Sequence, residues 1–322
     1  MGGRSKSLFV LVLALACATF ARVSVARATP ASSDDVVGQA FEFDRWRGLS
    51  FGTYLAPKAD FVGSDGGVDV VFHFHAGQMA ERQMKESGLN AVFVSCGYGI
   101  GSGAYATALA NPARFGRMLD ELVKNLDAQT GKSVHIRHLA LASWSAGFAA
   151  VSKVLAVDRY YAMVDSVVLN DSLHSQYKDP NPKTPAQGAD RVNLDMMRAF
   201  LRFAKDAAAG KKTMAITHSS IIPPDYASST EATQALLTAI DVPITAIDPD
   251  AAAAQAGSPS WRAMTLIARA DAGNLHVRGF RGRGPKDHFE HLHLIGEVLR
   301  AWVAPRWKRE ERLVYTLAGE QL

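Results

Sequence analysis

Strand-like and helix-like segments alternate along this chain, and the alternation limits its possible folds more than any other feature. Short β-rich runs such as "VDVVFHFHAG" (68–77) and "NAVFVSCGYG" (90–99) come before amphipathic runs such as "NPARFGRMLDELVKNLDAQTGK" (111–132). Strands that alternate with helices of this length indicate a parallel sheet covered on both faces. The sequence therefore predicts an α/β fold with a doubly wound, mostly parallel sheet and helices on both faces.

The same pattern extends through the C-terminal half. Further strands are predicted at 49–57, 136–143, 164–171 and 212–219, two more within 263–280, and helices at 79–88, 146–156, 193–210, 229–240 and 288–303. No linker divides the chain after the leader, so 29–322 is expected to be a single domain. The Pro- and Asp-rich stretch at about 172–192 is expected to be a loop or lid excursion over one rim of the sheet.

The first 28 residues differ in composition from the rest. Arg4 and Lys6 precede the apolar run "SLFVLVLALACATFA", and "ARA" ends at Ala28. The run is short for a spanning helix and leads into a small-x-small cleavage pattern, so 1–28 is predicted to be a secretory signal peptide. We expect a secreted or periplasmic protein with no membrane span in its mature part. Lipoprotein anchoring at Cys17 is the less favoured alternative.

Charge and cysteine content argue against a nucleic-acid-binding protein and against a fold stabilised by disulfides. The net charge is +4, but the four cations of 1–28, a segment without acids, account for all of it. A neutral mature chain gains little from counterion release, so nucleic acid is not an expected partner despite the basic run at 278–286. With Cys17 in the leader, Cys96 is alone, and no internal disulfide is expected.

The run "LASWSAGFAAV" (141–151) places Ser145 between a predicted strand and a predicted helix. A nucleophile elbow needs this arrangement, with a serine at a strained apex and small residues two positions to either side. Ser143 and Gly147 are those small residues. The pattern is S-x-S-x-G instead of G-x-S-x-G, and a serine N-cap that opens a buried helix is the alternative interpretation.

A serine hydroxyl is a weak nucleophile at neutral pH. It needs a histidine to accept its proton, a carboxylate to orient that histidine, and donors for the developing oxyanion. If Ser145 is a nucleophile, the rest of the chain must supply these groups.

Five segments resemble those of α/β-hydrolase-fold serine esterases of a secreted bacterial type. They are "HFHAG", "SWSAG", "VVLNDSLHSQY", "ITHSSIIPPDYAS" and "KDHFEHLHLIGEVL", within about 45–305. The resemblance implies a sheet of the α/β-hydrolase type and a serine hydrolase, with carboxylic esters (EC 3.1.1) favoured over peptides. It also implies a small-molecule or polymer ester as substrate, and neither a metal nor an organic cofactor.

The resemblance implies roles for particular residues, in the chain order nucleophile, acid, histidine. His288 best meets the position expected for the base, after the last strand, and His291 is the second candidate. Asp171 ends a strand near the elbow and is the candidate acid. The strand after Asp171 offers no acid until Asp225, and Asp287 adjoins His288, where neighbouring side chains rarely face each other for a hydrogen bond to Nδ1.

The remaining candidates concern the oxyanion and the substrate. The expected oxyanion donors are the amide of Ala146 and an amide at Ala76 or Gly77, with Gln78 as a third candidate. Candidates for substrate contacts, in addition to His291 at the same site, are Trp144, His174 and Tyr177. Packing beneath the turn is the alternative role of Trp144.

Two other functions remain open at this stage. His73 and His75 alternate on a predicted strand, and with His288 and His291 they would make a zinc site of a metal-dependent hydrolase. A protein of this fold that binds a ligand without turnover is the other alternative. The glycine-rich run at 96–105 is a weak dinucleotide motif, and a flexible loop is expected there instead.

Overall fold

A ten-stranded sheet is the framework of the protein in the computed structural model, which describes residues 41–179, 187–248 and 264–308. Its strands are β1 (Arg47–Leu49), β2 (Gly52–Leu55), β3 (Gly67–Phe74), β4 (Val92–Cys96), β5 (His135–Trp144), β6 (Ser166–Asn170), β7 (Thr213–Ser219), β8 (Thr245–Ala246), β9 (Leu266–Ala272) and β10 (Leu275–Phe280). They lie in the order β1-β2-β4-β3-β5-β6-β7-β10-β9-β8. The predicted signal peptide, with Cys17, lies outside the described residues.

The six central strands, from β4 to β10 in this order, are parallel to one another. The pairs at both edges of the sheet are antiparallel. All eight residues of β3 are buried, as expected for a parallel strand covered on both faces. The predicted doubly wound, mostly parallel sheet of the α/β-hydrolase type is therefore confirmed.

Helices cover both faces of this sheet. They are α1 (Glu81–Lys85), α2 (Ser102–Ala108), α3 (Arg114–Thr130), α4 (Phe148–Leu155), α5 (Asp158–Met163), α6 (Arg198–Ala208), α7 (Ser229–Thr238), α8 (Pro285–His293), α9 (Ile295–Val298) and α10 (Ala304–Trp307). Short 3-10 turns occur at Gly77–Ala80, Ser145–Gly147, Ala189–Arg191 and Leu194–Met197, and a π-helical turn at Leu299–Val303.

The core has two parts, one on each face of the sheet. Phe72 of β3 packs in the cluster that includes α3, α4 and α6, whereas its neighbour Val71 packs in the cluster that includes α1, α8 and α9. Successive side chains of a strand point to opposite faces, and both faces of β3 are therefore apolar. This explains why the strand reads as a nearly continuous apolar run in the sequence.

Three local predictions differ from the structure. The strand predicted at 49–57 is the β1–β2 hairpin. The flexible loop predicted at 96–105 contains the start of α2, and the buried Tyr105 anchors this region through hydrogen bonds between its hydroxyl and the backbone of Tyr98 and Gly99. The last helix begins at Pro285 instead of 288, because proline is favoured in the first helical turn.

Part of the predicted excursion at 172–192 is described, and residues 180–186 lie outside the described part. Single β-bridges pair Ser175 with Ala227 and Tyr177 with Val192. The Tyr177 hydroxyl donates to the Glu231 carboxylate at 2.8 Å. These contacts fix both described ends of the segment beside α7.

Two further findings concern membranes and thiols. None of the helices in the described ranges combines the length and the apolar character needed to cross a membrane.

Cys96 is a free, buried thiol, and burial raises its pKa to about 12. It therefore has little thiolate character at neutral pH.

The turn between β5 and α4 should not tolerate a larger residue at Gly147. A Cβ there would clash with the Phe74 carbonyl group and lie 3.0 Å from the Ser143 Cβ. We expect Gly147→Ala to lower the free energy of unfolding in urea by about 2 kcal/mol. Gly103→Ala is the control, because a Cβ at that helical position meets nothing within 4 Å. It should stabilise by roughly 0.5–1 kcal/mol, and equal effects would contradict the close approach.

Candidate active site

Ser145 lies at the sharp turn between β5 and α4. Its backbone φ is 50°, in the left-handed region that a serine rarely adopts. Gly147 is the N-cap residue of α4, and no side chain caps that helix. Ser145 is therefore not the N-cap of α4, which was the alternative interpretation, and its hydroxyl makes no capping hydrogen bond. Its half-buried side chain lines a surface cavity instead.

Hydrogen bonds beneath the turn hold its shape. The Ser172 hydroxyl donates to the Ser145 carbonyl at 2.8 Å and lies 2.8 Å from the Ser143 hydroxyl. Both of these serines are fully buried. Ser143 is small enough to let Gly147 approach closely, and its hydroxyl also gives the buried Ser172 hydroxyl a hydrogen-bond partner.

Asp171 follows β6 directly and is also in the left-handed region, with φ 47°. Its Oδ2 accepts a hydrogen bond from Nδ1 of His288 at 2.7 Å. Its Oδ1 accepts the Ser219 amide at 2.9 Å and the Ser229 hydroxyl. The carboxylate is 2% exposed, so this set of donors replaces the water that it has lost.

The charge of Asp171 is stabilised against its burial. Burial alone raises the pKa of this carboxyl, but the neighbouring His291 and His288 imidazoles and the Ser229 hydroxyl outweigh it and hold the pKa well below its ordinary value. The carboxylate therefore stays ionised throughout the pH range in which the protein would work.

Trp144 connects the turn to the start of α8. Its indole N–H donates to the carbonyl of His288 at 2.8 Å, and its ring stacks on the His288 imidazole with centroids 4.7 Å apart. The imidazole of His75 also stacks on this indole, at 5.1 Å. Trp144, which directly precedes Ser145, thus positions both the backbone and the ring of His288.

The loop after β3 presents backbone amides in a strained conformation. His75 and Ala76 both have positive φ, 76° and 58°. The Gln78 amide donates to the Ser95 hydroxyl at 3.2 Å, whereas the amides of Ala76 and Gly77 have no acceptor within the described residues. Of the three predicted donors in this loop, Ala76 and Gly77 are therefore the ones that remain available.

Gly77 also has no room for a side chain. A Cβ at this position would lie 2.8 Å from the Ser95 hydroxyl and 3.1 Å from Nδ1 of His73. The other predicted oxyanion donor, Ala146, follows Ser145 in the turn between β5 and α4 and lines the same cavity as Ser145.

The other predicted site residues take different positions. His174 lines the cavity of Ser145 and also the cavity of His288, and its Nε2 donates to the Asp171 carbonyl at 3.2 Å. His291 is fully buried, and its Nδ1 lies 2.8 Å from the Thr217 hydroxyl. Tyr177 is 3% exposed and lines neither cavity. Its hydroxyl is taken up by Glu231, so it supports the segment after β6 instead of facing a substrate.

The four histidines of the alternative zinc site do not converge. The described residues contain no group of three or more His, Cys, Asp or Glu side chains placed to hold a metal ion. β3 ends at Phe74, so the alternation expected to align His73 with His75 stops between them. His75 pairs with the Tyr105 hydroxyl at 2.8 Å, whereas His288 pairs with Asp171.

Two cavities meet at this site, each of about 310 Å³. The serine cavity is lined by Ser145, Ala146 and their neighbours, and the histidine cavity by His288 and Asp171. His174 and Tyr226 line both cavities and so mark the boundary between them. Ser145 and His288 therefore face adjoining spaces, although no hydrogen bond joins their side chains.

Sequence reasoning missed several residues of the site. Ser219 and Ser229 hold Asp171, and Tyr226 separates the cavities. One signal was available, because Ser228 and Glu231 form a capping box that fixes the start of α7. This box indicates where the helix begins, but not that Ser229 would face an acid 58 positions earlier in the chain.

Comparison with known proteins adds little beyond this geometry. No protein-family model matches the sequence, and a search of curated proteins finds no match. Solved structures that resemble it include a cold-adapted esterase from an Arctic intertidal metagenomic library, with 12% identity, a TM-score of 0.40, and coverage of 82% of this chain and 95% of that chain.

Two other similar structures have different activities in their names. One is the Pyrococcus horikoshii acylaminoacyl peptidase, with 11% identity and a TM-score of 0.41, where the match covers 88% of this chain but only 43% of that chain. The other is a poly(3-hydroxybutyrate) depolymerase from Bordetella parapertussis, with 13% identity, a TM-score of 0.40, and coverage of 83% and 89%. These values are too low to assign an activity, so the site is judged on its own geometry.

His73 gives the protein a testable pH dependence. Burial, and then the charge of His75, lower the pKa of His73 to about 3, and neither ring nitrogen has a partner among the described residues. Between that value and the ordinary 6.5, the unfolded state binds a proton that the folded state does not. Stability should therefore fall as the pH is lowered through this window, by up to about 1.4 kcal/mol per pH unit from this group.

Urea unfolding of wild type and His73→Gln at several pH values between 7 and 4 would measure this effect. The variant cannot titrate at this position, so its stability should depend less steeply on pH, by roughly 1 kcal/mol per unit below pH 6. Parallel pH profiles in the two proteins would contradict a neutral, buried His73.

Proposed function

We propose that this protein is a serine hydrolase that cleaves carboxylic esters through Ser145, His288 and Asp171. The observation that carries the proposal is the 2.7 Å hydrogen bond from His288 to a buried, ionised Asp171, beside a serine on a strained strand–helix turn. The order of these residues along the chain is also the one expected for an α/β-hydrolase fold.

The mechanism has two half-reactions. Ser145 Oγ attacks the ester carbonyl carbon while Nε2 of His288 takes the hydroxyl proton, and the resulting tetrahedral intermediate carries its negative charge on the former carbonyl oxygen. When the intermediate collapses, the C–O bond to the alcohol breaks and His288 gives its proton to the leaving oxygen. Water then attacks the acyl-enzyme with His288 again as base, which releases the acid and restores Ser145.

Asp171 and the backbone amides have supporting roles in this scheme. Asp171 accepts a hydrogen bond from the Nδ1–H of His288, which leaves Nε2 as the basic nitrogen, and its charge stabilises the imidazolium when it forms. The oxyanion would receive hydrogen bonds from the Ala146 amide and from the amide of Gly77 or Ala76. Trp144 acts on the reaction only through the position of His288.

Ser145 Oγ and Nε2 of His288 must come together for the proton to be transferred. Ser145 Oγ and Nε2 of His288 are not hydrogen-bonded, and such contacts are often long in unliganded enzymes and tighten when substrate binds. Both side chains are partly exposed at adjoining cavities, so rotation about their side-chain bonds is not blocked by burial.

Esters are proposed over peptides by analogy of fold. Export, inferred from the signal-like leader at 1–28, would place the activity outside the cytoplasm. Either a small ester or the ester bonds of a polymer would fit a site that opens to solvent.

Labelling with a fluorophosphonate probe tests the nucleophile directly. Wild type should be labelled with or without a chelator, Ser145→Ala should not be labelled, and His288→Ala should react at least about 100-fold more slowly because the serine loses its base. Ser152→Ala, on α4, is the matched control and should behave as wild type. A folded wild type that is not labelled would remove the serine mechanism, and hydrolysis abolished by chelator would favour the zinc alternative.

The role of Asp171 is tested with Asp171→Asn. An amide at this position presents the wrong hydrogen-bonding pattern to Nδ1 and cannot stabilise the imidazolium. We expect kcat/KM for a 4-nitrophenyl ester to fall by roughly 10³- to 10⁴-fold.

Asp287→Asn is the control for this experiment, since Asp287 adjoins His288 in sequence but accepts the amide of Arg283. Its kcat/KM should stay within about threefold of wild type, as for surface substitutions in general. The opposite result, with the larger loss at Asp287, would assign the acid to that residue.

A further inference from the structure

Exposed apolar side chains concentrate around the candidate active site. Within the described ranges, the large hydrophobic residues with exposed side chains are Met79, Ile100, Met196, Ile222, Tyr226 and Ile244. Four of these six, Ile100, Met196, Ile222 and Tyr226, line the serine cavity or the histidine cavity. Concentrated apolar exposure marks a ligand groove or an interaction site more often than chance, so this rim is built to contact apolar groups.

In the part of the chain that the structure describes, neither cavity offers a free counter-charge to a charged substrate. No Lys, Arg or Glu of the described residues lines either one. Asp171 is the single carboxylate, and it is buried and already hydrogen-bonded by His288, Ser219 and Ser229. A charged substituent would lose hydration in either cavity without gaining a partner, and this costs binding free energy.

Cations are available close by but face another space. Arg281, Arg283 and Lys286 line a separate cavity with Asp287 and Glu290. They flank the start of α8, on which His288 faces Asp171. The local sequence is thus strongly basic, whereas none of the described Lys or Arg residues lines the two cavities that meet at Ser145 and His288.

The chemistry of the triad decides which half of an ester each cavity would hold. The acyl group stays bonded to Ser145 after the alcohol has left, so it must occupy the serine cavity. The leaving oxygen takes its proton from His288, so the alcohol must extend into the histidine cavity. Apolar side chains line both, with Phe148 and Met196 on the serine side and Ile221 and Ile222 on the histidine side.

The size of the cavities limits the groups they enclose. Each has a volume of about 310 Å³. One water molecule takes up about 30 Å³ in the liquid, so each cavity has room for roughly ten non-hydrogen atoms of that size. A medium-length acyl chain on one side and a substituted phenyl ring on the other have this size.

We propose that the substrate is an uncharged ester with an apolar group on both sides of the scissile bond, the acyl group in the serine cavity and the alcohol in the histidine cavity. This inference rests on the proposed serine hydrolase function and adds the substrate class and its orientation. Esters with a terminal carboxylate on either side are expected to be poor substrates.

Three esters of similar size test the charge requirement in the wild-type protein. They are 4-ethylphenyl hexanoate, 4-ethylphenyl hydrogen adipate with a carboxylate at the acyl end, and 4-(carboxymethyl)phenyl hexanoate with a carboxylate on the alcohol. The methylene group keeps the leaving-group reactivity of the third ester close to that of the first. Both charged esters should have kcat/KM values at least about tenfold below the neutral one.

A matched set of lysine substitutions tests the orientation. Met196 and Ile222 are about equally exposed, 51% and 55%, and each lines one cavity only. Met196→Lys should raise kcat/KM for the adipate ester alone, by roughly threefold to tenfold, and Ile222→Lys should do so for the carboxymethyl ester alone. Ile244→Lys adds the same charge at an exposed apolar residue that lines neither cavity, and should change neither value.

The outcomes separate this inference from the function on which it rests. If the fluorophosphonate probe does not label Ser145 in wild type, the serine mechanism fails and this inference fails with it. If labelling is normal but the three esters are hydrolysed equally well, only the substrate class is overturned. If Met196→Lys improves the carboxymethyl ester instead of the adipate, the orientation is overturned, whereas the expected pattern supports both.

Discussion

The buried carboxylate of Asp171 is the interaction on which the rest of the site depends. It lies at the carboxyl end of β6, and its partners come from β7, α7 and α8. An ionised group at 2% exposure is tolerated only when donors replace its lost hydration, so the four elements must meet at this point. The left-handed backbone of Asp171 directs its side chain toward these donors, at a local cost in strain that the hydrogen bonds offset.

The second constraint is the close approach of backbone around Ser145. Gly147 packs against the Phe74 carbonyl group, which brings the end of β3 beside the start of α4. The loop that follows β3 therefore presents the Ala76 and Gly77 amides on the same rim as Ser145. Trp144 extends this arrangement to α8 by its hydrogen bond to His288 and by stacking on the imidazole. Ser145, His288 and the candidate oxyanion donors are thus positioned by contacts between the ends of neighbouring strands and the starts of α4 and α8.

Much of the fold was predictable because its signals are local. The apolar runs of β3 to β7 and the amphipathic α3 repeat with periods that a short window reveals, and they indicate a parallel sheet covered by helices. The two-residue β8 and the start of α2 at Ser102 carry no comparable pattern, so they were missed or assigned to a loop. The site residues proposed from the sequence followed from a motif and a chain order, and Tyr177 shows the limit of that reasoning. It follows the right strand, but its side chain turns toward Glu231.

The sequence by itself determined the class of sheet, the strand–turn–helix around Ser145 and the order of serine, acid and histidine along the chain. These depend on periodicity and on small residues at fixed spacing, both of which act over a few neighbouring positions. Only the tertiary structure decided that Asp171 faces His288, 117 positions away, and that Ser219 and Ser229 complete its hydrogen bonds. It also decided that no Lys, Arg or Glu among the described residues lines either cavity. Contacts across such separations depend on how strands and helices pack, and no local pattern of residues specifies that packing.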